Sequence, residues 1–164
     1  MGKDEAKILD SGSRTEFASG AVRDVQKGKG RCDLLPLDAI ARLFVTKESR
    51  KRDILQYISG FCETGEHIHL VAVLSAFSDY RGWDLYTMLL EVSVHFEEGA
   101  EKYGENNWQK GLPAKCYINS AVRHFLKYLR GDDDERHDRA FVWNILCCMW
   151  TCINIPELND YKKE

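Results

Sequence analysis

No apolar run in this 164-residue chain approaches the roughly 20 residues that a bilayer-spanning helix needs. Its first residues, MGKDEAKILDSGSRTEF, lack the apolar centre of a secretion signal, so a cytoplasmic location is expected. Positive charge is not in excess either. With a net charge of −3 and a pI of about 6.0, nothing global points to a nucleic-acid coat or an anionic membrane surface, and both are disfavoured as partners. No CxxC occurs, and no paired cysteine spacing resembles a zinc knuckle. The six cysteines are Cys32, Cys62, Cys116, Cys147, Cys148 and Cys152. Three of them share one apolar segment, where a free thiol behaves as a small hydrophobe, so buried, reduced thiols in a reducing compartment are expected. Strand-type alternation, internal repeats and low-complexity stretches are also missing, which leaves one all-α domain.

What is present begins with a polar tail over residues 1–15, expected to be mobile. Residues 16–31, EFASGAVRDVQKGKGR, are interrupted by Gly20, Gly28 and Gly30 and carry Arg23, Lys27, Lys29 and Arg31. So many glycines argue against a regular element. Two readings remain open: a solvated loop, or an arm whose cations and glycine N–H groups wrap phosphates. A helix is expected from Leu34–Asp38 to about Lys47, with Pro36 in its first turn and Ile40, Leu43 and Phe44 on one face. The charged run KESRKRD reads as a solvated face or turn. Ile54, Leu55, Tyr57 and Ile58 suggest helix stopped at Gly60, and HIHLVAVLSAF (67–77) a buried helix.

From Trp83 the pattern is regular. Leu85, Leu89, Val92 and Phe96 mark the apolar stripe of a long helix, with Lys102 in its last turn and Gly104 as its C-terminal cap. After the loop ENNWQKGLP, the residues Ile118, Val122, Phe125 and Leu129 define a helix that carries Arg123, His124 and Lys127 and stops at Gly131. Asp132, Asp133 and Asp134 are cap candidates for a last helix with Phe141, Val142, Ile145, Leu146, Met149 and Trp150, ended by Pro156. A single helical domain over 16–155 and a C-terminal tail over 156–164 follow.

Two acidic pairs carry candidate chemistry. Glu98 and Glu101 are three apart, as are Glu135 and Asp138, which predicts that each pair lies on one face of its helix. Facing each other, they would form a four-carboxylate oxygen site of the kind that binds Mg²⁺ and, through it, a triphosphate. A solvated acidic surface is the alternative. The basic helix between them would complement the phosphates. The adjacent His137 and Asp138, with His124 or His95 as partner, also resemble the dyad of HD-type phosphohydrolases. Trp108 with Asn107 and Gly111 is suited to stacking and hydrogen-bonding a base, or to anchoring the loop in the core.

Three blocks, EFASGAVRDVQKGKGRCDLLP, HFEEGAEKYGENNWQKGLP and SAVRHFLKYLRGDDDERHDRAFVWNILC, resemble the phage and prophage family of dATP/dGTP diphosphohydrolase N-terminal domains, grouped with MazG-like nucleotide pyrophosphohydrolases. The resemblance covers 16–48 and 91–155 and makes 49–90 an insertion. It implies an all-α, MazG-like helical bundle with an N-terminal Gly/Lys/Arg-rich arm. It also implies hydrolysis of a purine nucleoside triphosphate to the monophosphate and pyrophosphate, with Mg²⁺, or Mn²⁺ in its place. Glu98, Glu101, Glu135 and Asp138 match the metal-ligand pattern; Glu98, Glu101, His124 and His137 are candidate catalytic groups. Lys29, Arg31, Lys102, Tyr103, Asn107, Trp108, Lys110 and Arg123 match recurring family words and would surround the substrate. The family further implies a homo-oligomer and, for a phage-encoded chain, the host cytoplasm. A nucleotide-binding protein that does not hydrolyse stands as the alternative.

Overall fold

The computed structural model describes residues 12–26, 30–35, 40 and 49–162. Most of the helix expected over 34–47, the lysines 27 and 29, and residues 1–11 of the expected tail lie outside them. Five α-helices are described: α1 (Ser49–Thr64), α2 (Ile68–Arg81), α3 (Leu85–Tyr103), α4 (Ala114–Arg130) and α5 (His137–Asn154). The all-α expectation holds. None of these helices is long and apolar enough to cross a membrane.

The arm contains a regular element after all. Strands β1 (Arg14–Glu16) and β2 (Val22–Asp24) pair antiparallel, with Arg14 opposite Asp24 and Glu16 opposite Val22. The tail expected over 1–15 therefore gives way to a strand at Arg14. Glycines that argue against a long element do not prevent three-residue strands, because the turn between them takes up the break.

Helices α1 and α2 pack on each other, α4 and α5 do the same, and α5 also meets α2 and α3. Helix α5 is thus central, and its buried residues, from Ala140 through Phe141, Val142, Ile145 and Cys148 to Thr151, fall on all of its faces. An aromatic cluster joins the layers: the Phe77 ring lies 4.6 Å from Phe141 and 5.7 Å from Tyr128, and Phe125 lies 5.3 Å from Phe141. Each such buried side chain contributes roughly 1.5–3 kcal/mol relative to exposure. The cysteines form no disulfide; Cys147 and Cys148 are buried and the other four half-buried.

Three local expectations change. Helix α1 does not stop at Gly60 but runs to Thr64. A Cβ at Gly60 would sit 2.8 Å from Nδ1 of His69, so this glycine admits the α2 side chain rather than ending α1. The break comes at Gly65, whose φ of +69° suits glycine and whose missing side chain leaves room for the backbone of Lys162. On α3 the buried line is Met88, Val92 and His95, while Leu85 and Leu89 of the expected stripe are 56% and 43% exposed. The N-terminal half of α3 is apolar on more than one side, and periodicity does not choose which side meets a neighbour. Finally, the aspartates 132–134 do not cap α5; its N-cap position is Arg136, without a side-chain cap bond. Asp132 pairs with Arg130, and Asp134 accepts from Lys127 and contacts His137.

Candidate functional site

A cavity of about 630 Å³ lies under the hairpin, walled by α3, α4, α5 and the short turn Asn107–Lys110. The hairpin is tied down along its length. The Asn107 side chain accepts from the Val22 N–H at 2.9 Å and donates to the Val22 carbonyl at 3.1 Å, and Lys110 donates to the Gly20 carbonyl. Asp24, only 7% exposed, accepts from Lys102 at 3.0 Å, from Tyr103 at 3.1 Å and from Arg14 at 2.8 Å. Burial alone would raise its pKa, but Lys102, Tyr103 and Arg14 hold it below the ordinary carboxylate value. Four expected substrate ligands, Lys102, Tyr103, Asn107 and Lys110, therefore fasten the arm to the bundle. Tyr103 and Asn107 also line the cavity.

Of the other expected ligands, Arg31 is exposed, paired with Asp33 at 2.7 Å, and does not line the cavity; Lys29 lies outside the described residues. Trp108 does line it, set edge-on against Phe96 at 5.4 Å and Trp150 at 5.1 Å, so it is both wall and anchor. Arg123 lines it too, donating to the Gly30 carbonyl at 2.8 Å and to Asn119 at 3.1 Å.

The residue that sequence reasoning left out of the site is Arg23. From β2 it donates to Oδ1 of Asn144 at 2.8 Å and lies 5.8 Å from the Trp143 ring, while its Nη1 is buried without a hydrogen-bond partner. Its signal was the cationic, glycine-flanked arm. Arg23, Arg123 and Lys127 line the cavity against the carboxylates of Glu135 and Asp24, and Asp24 is already matched by Lys102 and Arg14. The balance favours an anion. Phe96, Trp108 and Trp143 supply flat apolar wall beside these cations.

Burial first, then Arg23 and Arg139, lowers the pKa of His95 to about 4, so at neutral pH its 4.0 Å approach to Glu98 is a contact and not an ion pair. His124 is likewise held well below its ordinary value, by burial, His137 and Arg23. Its Nδ1 lies 2.9 Å from Nδ1 of His137, whose Nε2 lies 2.7 Å from Oδ1 of Asp134. Asp134 is held below the usual carboxylate value by that contact.

The structure does not bring Glu98, Glu101, Glu135 and Asp138 together. Glu135 precedes α5 and lines the cavity, so it shares no helical face with Asp138. Asp138 is 4% exposed and accepts from Arg81 and Arg136, each at 3.1 Å, and from the Arg139 N–H at 2.9 Å. Burial would raise its pKa, but these donors hold it low. Together with Glu91, which accepts from Arg136 and Arg139, it locks the start of α5 to α2 and α3. Glu98 stands beside His95, Glu101 is exposed, and neither lines the cavity. Among the described residues, the groups with three ligand atoms within 4.8 Å of one another are His124, Glu135 and His137, and Asp132, Asp134 and His137.

Residues 83–161 match the family described as dATP/dGTP diphosphohydrolase, N-terminal. No curated protein and no solved structure matches the chain. The matched span holds α3, the Asn107–Lys110 turn, α4 and α5, every wall of the cavity except the hairpin and the residues that follow it. Through residues 83–161, just under half of its length, the chain is similar to the dATP/dGTP diphosphohydrolase N-terminal family.

Proposed function

We propose that the cavity binds a purine deoxynucleoside triphosphate and that the protein hydrolyses it to the monophosphate and pyrophosphate. The observation that carries this reading is the coincidence of the family match with a cavity that sets aromatic walls beside three cationic side chains. Its volume suits a small-molecule ligand. A base packs against Trp108 and Phe96, and the phosphates meet Arg23, Arg123 and Lys127, which offset the charge that develops as water attacks the α-phosphorus and pyrophosphate leaves. Arg23 Nη1 has an unused N–H for this purpose. Activation of the water belongs to the corner where Glu135 and the neutral imidazole of His124 line the cavity, with His137 behind them.

The four-carboxylate Mg²⁺ cage does not fit these residues, because Asp138 is saturated by guanidinium groups and Glu98 and Glu101 lie off the cavity. Mg²⁺, or Mn²⁺, accompanies the triphosphate itself, as is usual for a cation that keeps phosphate and water ligands. The homo-oligomer remains part of the proposal. Leu85, Tyr86, Leu89 and Leu90 form one exposed apolar stripe on α3, with Tyr86 and Leu90 76% and 72% exposed.

The test is pyrophosphate release from dATP and dGTP with Mg²⁺. Arg23→Met is expected to raise KM by roughly 10–100-fold, the loss of one charged hydrogen bond. If neither dNTPs nor NTPs yield pyrophosphate, the reading fails; nucleotide recovered intact from the protein would make it a binding protein instead.

A further inference from the structure

The acidic quartet predicted from spacing is dispersed, yet a different ligand set has formed at the cavity wall. We propose that His124, Glu135 and His137 hold a divalent first-row transition-metal ion, of the Mn²⁺, Co²⁺ or Zn²⁺ type, at the edge of the nucleotide cavity. The inference deepens the proposed function and rests on it for the role of the cavity.

Four observations support it. First, one ligand atom from each of the three residues lies within 4.8 Å of the other two. Second, the two Nδ1 atoms are 2.9 Å apart. Two nitrogens bound about 2.1 Å from one metal stand about 3.0 Å apart at the right angles of an octahedral ion and about 3.4 Å apart in a tetrahedral one, so this spacing is near that of neighbouring ligands and closest to the octahedral edge. Third, Asp134 approaches the other nitrogen of His137 at 2.7 Å, the carboxylate contact that orients a metal-bound imidazole and fixes which nitrogen is free to ligate. Fourth, three protein ligands leave positions open, and two of the three residues, His124 and Glu135, line the cavity.

The donor types decide the class of ion. Mg²⁺ takes oxygen ligands in near-octahedral geometry, whereas imidazole nitrogens suit Mn²⁺ through Zn²⁺. The competing group of Asp132, Asp134 and His137 is the weaker candidate, because Arg130 already grips Asp132 through both carboxylate oxygens. The carboxylates of Glu135 and Asp134 supply the negative charge that a divalent ion needs, and the ion in turn adds positive charge where the triphosphate is proposed to lie.

Metal-stripped protein is titrated calorimetrically with Co²⁺ alone and with Mg²⁺ alone, without nucleotide, and Co²⁺ binding is followed by its visible absorption. One Co²⁺ per chain is expected, bound at least about 100-fold more tightly than Mg²⁺. His124→Asn is expected to weaken it by about 100-fold or more, and Glu135→Gln and Asp134→Asn by about 10–100-fold. The Glu98→Gln/Glu101→Gln double variant is expected to leave it unchanged. His137 is 2% exposed, so the cavity residues His124 and Glu135 carry the test, with circular dichroism as the folding control. Co²⁺ affinity unchanged by His124→Asn and Glu135→Gln, or no tighter than that of Mg²⁺, overturns the inference. Pyrophosphate release is measured in parallel. Hydrolysis without a Co²⁺ site sinks this inference alone, and a Co²⁺ site without hydrolysis of any nucleotide sinks the proposed activity alone.

Discussion

Lowering the pH is expected to unfold this protein through its histidines before its carboxylates. His95, 8% exposed, is enclosed by Arg23 from the hairpin, Arg139 and Trp143 from α5, and Glu98 on its own helix. Burial and the two arginines lower its pKa from 6.5 to about 4. Below pH 6.5 the unfolded chain takes up a proton at this site and the folded chain does not until about pH 4. Stability is therefore fully present above 6.5 and falls as the pH drops through that window. One proton costs about 1.4 kcal/mol per pH unit, which over the interval amounts to about 3 kcal/mol, a large part of the 5–15 kcal/mol typical of a domain. His124, depressed in the same direction, steepens the loss. Asp24 and Asp138, both held below the ordinary carboxylate value, titrate lower still. Urea unfolding followed by tryptophan fluorescence, from about pH 7 to about pH 4.5, measures the slope. His95→Gln is expected to flatten it by up to about 1.4 kcal/mol per pH unit. Parallel slopes for the two proteins would refute the argument.

Gly65→Ala is expected to lower stability by at least about 2 kcal/mol, since a left-handed alanine is strained by 1–2 kcal/mol before any contact. Its Cβ would also lie 2.6 Å from the backbone of Lys162. A thermal melt reads this as a fall of roughly 4–8 °C, and an unchanged Tm would show that the C-terminal segment does not pack there in solution. Light scattering coupled to size exclusion is expected to give an oligomer for the wild-type chain and a smaller species for a Leu89→Lys/Leu90→Lys variant, because charge on the exposed α3 stripe opposes its burial. A wild-type monomer at every concentration would remove the oligomer from the proposal.

Sequence by itself determined the helices from Leu85 onward and the family resemblance over 91–155, and it pointed to the α3–α4 turn and the basic helix as the place of the site. Those features are local: the 3.6-residue period, the stops at Gly104 and Gly131, and a wording that persists along the chain. Gly60 and Gly65 look alike in sequence, and only the neighbour each one meets, His69 or Lys162, separates a close approach from a helix end. Tertiary structure also decided which charges remain for chemistry. Lys102 and Asp138 carry the right charges at plausible spacing, yet each is paired with residues far away in the chain, Asp24 and Arg81. Arg23 lacked a motif of its own and became a cavity residue because the hairpin folds over α3 and α4. Spacing places two carboxylates on one helical face only if both are in the helix. Glu135 lies just ahead of α5 and Asp138 is held by two arginines, so the folded chain instead brings Glu135 together with His124 and His137, a grouping that no short-range spacing in the sequence encodes.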